Sequence, residues 1–81
     1  MNISVINGTF DSRDAIDILT QIIMVKIKFH EEKINHSQHE EDIKMREKRI
    51  RELQNDLSDL RKFIRDHQGK VSMHCSLEFS N

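Results

Sequence analysis

Between Ile43 and Ile64 the residues Ile43, Arg46, Ile50, Leu53, Leu57, Leu60 and Ile64 recur at alternating spacings of three and four. All but Arg46 are apolar. Side chains so spaced lie on one narrow stripe of a helix. A stripe that narrow is the seam of a coiled coil or helical hairpin rather than the broad face of a globular helix. Such a seam requires a second helix, and the rest of the chain must say where it is.

With 81 residues the chain is a single domain, near the size at which one core is barely sufficient. It has no Pro and only two Gly, so few turns are encoded and the elements must be few and long. Phe10-Asp11-Ser12 reads as a helix start. Asp11 is suited to the N-cap, Asp14 to the positive end of the helix dipole, and Phe10 with Ala15 to a hydrophobic staple. From there a helix over 11–35 meets no breaker. The apolar pattern stops at Asn35, and Ser37 followed by Glu40 has capping-box spacing. A turn over 35–37 and a second helix over 38–68 follow. Glu40–Lys44, Asp42–Arg46 and Glu47–Arg51 are acid-before-base pairs on that helix. Arg65 and His67 suit its last turn, and Gly69 suits the residue beyond its end.

The ends of the chain read differently. Ile3 and Val5 alternate with polar neighbours, which predicts a strand over 2–6 closed by the turn-forming pair Asn7-Gly8. Val71, Met73, Cys75, Leu77 and Phe79 alternate with Ser72, His74, Ser76, Glu78 and Ser80. That period of two predicts a strand over 70–80 with one apolar face.

A rival arrangement competes with the hairpin. Ala15, Ile18, Ile22, Val25, Phe29, Glu32, His36 and His39 stay in phase with Ile43, so one helix from Ala15 to Ile64, about 75 Å long, is conceivable. It would set Glu32, His36 and His39 at successive seam positions, and polar seam residues cost stability. The hairpin avoids this and brings both chain ends together. The expected fold is therefore α+β and mainly helical, an antiparallel coiled-coil-like hairpin with terminal strands paired antiparallel (β-α-α-β). A two-stranded ribbon is marginal alone and leaves open edges, so dimerisation is expected to complete it.

Two apolar stripes run along the first helix: Ile18, Ile22, Val25 and Phe29 on one side, Ile16, Ile23, Ile27 and Ile34 on the other. The second helix can cover only one. Ile16, Ile23 and Ile27, with Val71, Met73, Cys75, Leu77 and Phe79, are the residues expected at an oligomer interface.

For chemistry the sequence offers little. His30, His36 and His39 gather near the turn among several carboxylates, but their spacing straddles a helix boundary, so no metal site is expected. Lys44 to Arg51 is basic and precedes a heptad, as in a zipper-type DNA reader. Against that, Lys and Arg total 13 and Asp and Glu 14, a net charge of −1, where phosphate binding calls for a basic excess. His74 and Cys75 point to opposite faces of a strand, so they cannot form a catalytic dyad, and Cys75, on the apolar face with Val71 and Leu77, is expected to be a small core residue. No phosphate loop, nucleophilic triad or cofactor motif is present. The run from Ile16 to Phe29 is too short and too charged to span a bilayer. The single cysteine and the absence of a signal-like N-terminus lead to the expectation of a cytoplasmic protein. The chain is expected to be a non-enzymatic helical-hairpin protein acting through protein–protein interaction or assembly, with itself as first partner. A small regulatory nucleic-acid binder using residues 44–51 is the alternative.

Overall fold

The computed structural model describes residues 1–66 and 69–80. Strand β1 (Asn2–Asp11), helix α1 (Ser12–Asn35), helix α2 (Glu40–Asp66) and strand β2 (Lys70–Glu78) follow in that order. The strands pair antiparallel in one two-stranded sheet, and the helices fold back on each other through a short connection. This is the β-α-α-β hairpin, not the single long helix. The end of the second helix beyond Asp66, with His67 in its last turn, lies outside the described residues.

The start of α1 follows local rules. Asp11 is extended (φ −70°, ψ 164°), and its carboxylate accepts the Asp14 N–H at 2.9 Å. Because an N-cap is extended, Asp11 also serves as the last residue of β1, and no loop separates strand from helix. Ser12 Oγ donates to the Gly69 carbonyl at 3.1 Å, tying the start of α1 to the start of β2. Gly69 has φ of +114°, a backbone conformation that side chains with a Cβ rarely adopt.

Two boundaries differ from the sequence reading. Helix α2 begins at Glu40, not at residue 38. Ser37 Oγ accepts the N–H of His39 at 3.3 Å, a local hydroxyl turn that replaces the capping box, and Glu40 instead meets Lys44 at 3.4 Å. Strand β1 runs ten residues, straight through Asn7-Gly8. Neither takes positive φ; the Phe10 ring lies 3.7 Å from where a Gly8 Cβ would stand, and Asn7 is held by His74 across the ribbon. A regular nine-residue partner strand overrides a turn signal made of two residues.

The core is the helix seam. Ile23 and Ile27 of α1 pack with Leu53 and Leu57 of α2, flanked by Ile50 and Leu60. Ala15 and Ile64 are buried near the junction with the ribbon, and Ile43 is half-buried toward the hairpin tip. Of the two stripes on α1, the one carrying Ile16, Ile23 and Ile27 faces α2. These residues were expected at an oligomer interface; Ile23 and Ile27 are instead the intramolecular core, and Ile16 is half-buried. The stripe left outside holds Val25, 68% exposed, and Phe29, 50% exposed.

The overall extents are 46 × 33 × 13 Å, with a radius of gyration of 15.3 Å. A compact chain of this length would have about 12 Å. A 27-residue helix is about 40 Å long and a ten-residue strand about 33 Å. Laid end to end they would far exceed 46 Å, so the ribbon turns aside from the hairpin axis.

Leu53 is 3% exposed at the centre of the core. Leu53→Ala is expected to cost about 3 kcal/mol in urea denaturation, whereas Val25→Ala should change stability by less than about 0.5 kcal/mol.

Candidate protein interface

Each face of the ribbon has a single character. The register sets Ile3 opposite Leu77, Ile6 opposite Cys75, Gly8 opposite Met73 and Phe10 opposite Val71. On the other face Asn2 lies opposite Glu78, Ser4 opposite Ser76, Asn7 opposite His74, Thr9 opposite Ser72 and Asp11 opposite Lys70. This separation depends on the register shift between Ser4 and Ile6, where Val5 is an extra residue in β1. Ile3 is an odd position and Ile6, Gly8 and Phe10 are even, so without the bulge they would point to opposite faces. The expected pairing of Ile3 with Val5 on one face is therefore replaced by Ile3 with Ile6.

The polar face is bonded across the strands. His74 donates from Nδ1 to Asn7 Oδ1 at 2.6 Å, and the hydroxyls of Thr9 and Ser72 are 3.4 Å apart. The apolar face is half-covered from its base up to Ile6, at Ile6, Gly8, Phe10, Val71 and Met73. Toward the tip Ile3, Cys75, Leu77 (48% exposed) and Phe79 (55% exposed) stand in solvent. Of the strand residues expected at an oligomer interface, Val71 and Met73 are thus half-buried within the chain, and Cys75, Leu77 and Phe79 are exposed. Cys75 is therefore not the small core residue that the sequence predicts: it is exposed, and no described element lies over that part of the ribbon to bury it.

The helices carry a second feature, invisible to a search for apolar periodicity. Thr20 and His30 interrupt the stripe of α1 that faces α2, and an arginine of α2 meets each of them. Arg61 Nη2 donates to Thr20 Oγ1 at 3.2 Å, and Arg46 Nη1 donates to His30 Nδ1 at 3.1 Å. The second bond sets the His30 tautomer, with its proton on Nε2. Arg46 also donates from Nε to Asp42 at 3.4 Å and lies over the Phe29 ring, 5.9 Å from its centroid. The one polar member of the seam is thereby bonded on both sides.

The basic segment is largely engaged. Lys44 pairs with Glu40, Arg46 with Asp42, and Arg49 with Glu52 at 3.0 Å. The expected Glu47–Arg51 pair is not among the ion pairs of the described residues. His36 and His39 are exposed at the hairpin tip, apart from His30 and its arginine. Among the described residues no three His, Cys, Asp or Glu side chains converge to hold a metal ion. No described helix is long and apolar enough to cross a membrane. The hairpin flank bears an open groove lined by Leu19, Ile22, Leu53, Leu60 and Phe63.

The accessible surface is 6698 Å². A compact monomer of 9.7 kDa exposes about 5,100 Å². The surplus of roughly 1,600 Å² on one chain is about twice the ~800 Å² that each partner buries in a standard-size interface. Compared with known proteins, the chain matches no family model, no curated protein and no solved structure.

A double-mutant cycle tests the polar seam contact. Arg46→Ala and His30→Ala together are expected to show a coupling of about 0.5–1 kcal/mol in chemical denaturation, and a coupling of zero would mean that the bond is absent in solution.

Proposed function

We propose that this chain is a non-enzymatic assembly protein that acts through protein–protein interaction, with a second copy of itself as its first partner. The observation that carries this reading is the outer half of the ribbon, where Ile3, Leu77 and Phe79 form an exposed apolar face that no described helix covers. The chain spends ten residues on β1 and nine on β2 to build it. A lone two-stranded ribbon is marginal in water, and an open edge invites another strand. Self-association answers both needs at once. The surplus surface supports the same reading, because it exceeds the area that each chain of a standard-size interface buries. The coiled-coil-like hairpin then holds the ribbon, with the groove beside Leu19 and Phe63 available to a further protein. A single unpaired cysteine on an exposed strand suits a reducing cytoplasm.

Sedimentation velocity tests the reading. At tens of micromolar the chain is expected to run as a dimer, and Leu77→Asp is expected to weaken association at least about tenfold while leaving the far-ultraviolet helix signal unchanged. A wild-type chain that stays monomeric overturns it.

A further inference from the structure

The hydrogen-bond phase of the ribbon decides what its outer edge can pair with. Phe79 N–H donates to the Met1 carbonyl at 2.8 Å, and the Met1 ammonium donates to the Phe79 carbonyl at 3.4 Å. Phe79 therefore turns both backbone groups toward the N-terminal strand. In an antiparallel ladder this direction alternates, so Leu77, Cys75, Met73 and Val71 do the same. Lys70, Ser72, His74, Ser76 and Glu78 then turn N–H and C=O toward the open edge of β2. The close side-chain approaches of His74 to Asn7 and Ser72 to Thr9 agree, because pairs that exchange no backbone bonds bring their side chains nearer. The ladder irregularity lies in β1, at Val5. A bulge blunts the β1 edge, while the β2 edge stays regular along its length.

We propose that the open edge of β2 pairs antiparallel with the same edge of a second copy, about a two-fold axis at His74, giving a four-stranded sheet in the order β1-β2-β2′-β1′. This rests on the assembly reading above and names its interface. Outward-facing residues must meet outward-facing residues, so the register can slide only by whole pleats. Centred on His74, all nine residues of β2 find a partner. Lys70 lies opposite Glu78 of the second copy, Val71 opposite Leu77, Ser72 opposite Ser76, and Met73 opposite Cys75. Charge meets opposite charge, apolar meets apolar, and hydroxyl meets hydroxyl. The five outward residues would exchange about ten backbone hydrogen bonds. One pleat either way sets Lys70 opposite Ser76 or Ser80, and the charge match is lost. Among the described residues neither Lys70 nor Glu78 is in an ion pair within its own chain. The strand is thus a palindrome in chemical character, which is what a two-fold contact demands of one surface meeting itself.

Disulfide trapping tests the register. Opposed residues that exchange no backbone bonds stand about 4.5 Å apart at Cα, within reach of a disulfide. Met73→Cys, oxidised with diamide, is expected to give a covalent dimer whose linked peptides join position 73 of one chain to Cys75 of the other. Val71→Cys, a pleat out of place, is expected to cross-link at least about tenfold more slowly. In reducing buffer Lys70→Glu should weaken the dimer several-fold, and Lys70→Glu with Glu78→Lys should restore it. A monomeric wild-type chain overturns assembly and register together. A wild-type dimer in which Met73→Cys links no faster than Val71→Cys, or in which the charge reversal fails to restore association, overturns this register alone and indicates that the copies meet by their apolar faces.

Discussion

The structure depends on the packing of Ile23 and Ile27 against Leu53 and Leu57. A helix in isolation is marginal, and one of 24 residues with mixed charge owes its order to the apolar face it buries. That same seam fixes the distance between the first residue of α1 and the last described residues of α2. From that spacing β1 and β2 leave side by side, with Ser12 bonded to the Gly69 carbonyl at the branch point. The ribbon contributes backbone hydrogen bonds but little burial of its own. It is ordered because the hairpin holds its base.

The period of α2 was legible because nothing interrupts it except Arg46. Helix α1 was not, because two stripes of isoleucine run along it at comparable strength. The stripe that faces α2 also carries polar residues that a search for apolar spacing skips. Thr20 and His30 complete the stripe of Ile16, Ile23, Ile27 and Ile34, and Arg61 and Arg46 arrive from α2 to bond them. The alternative stripe would place Val25 and Phe29 in the core, with Glu32 and His36 as its polar members toward the hairpin tip. In the observed arrangement the half-buried Arg46 is bonded to His30 and Asp42, which offsets the cost of desolvating its guanidinium.

The strands show a similar division between strong and weak signals. Five alternating apolar positions from Val71 to Phe79 outweigh any local preference in the opposing segment. Asn7-Gly8 is a good turn pair, yet it stays extended because each residue it aligns has a place in the ladder. The cost of that alignment is the bulge at Val5, which moves Ile6 and Phe10 onto the face of Ile3. No single-strand pattern reveals such a shift, because the parity change shows only when both strands are in register. The expectation that Cys75 is buried failed for a different reason. Periodicity tells which face a residue shares, not whether anything lies over that face.

That last distinction bears on what the chain is for. Natural strands are usually protected from edge pairing by charge, by proline or by irregularity. Here the protection is one-sided, with the bulge in β1 and none in β2. The outward face of β2 carries one cation at its start and one anion at its end, with serines and His74 between. On an edge meant to stay alone, such a pattern repels nothing. On an edge meant to meet its own copy, opposite charges at opposite ends select the antiparallel arrangement and disfavour the parallel one, which would bring like charges together. The β2 edge is left unpaired within the chain, and under the proposed assembly the charge order along β2 narrows which strand fits it.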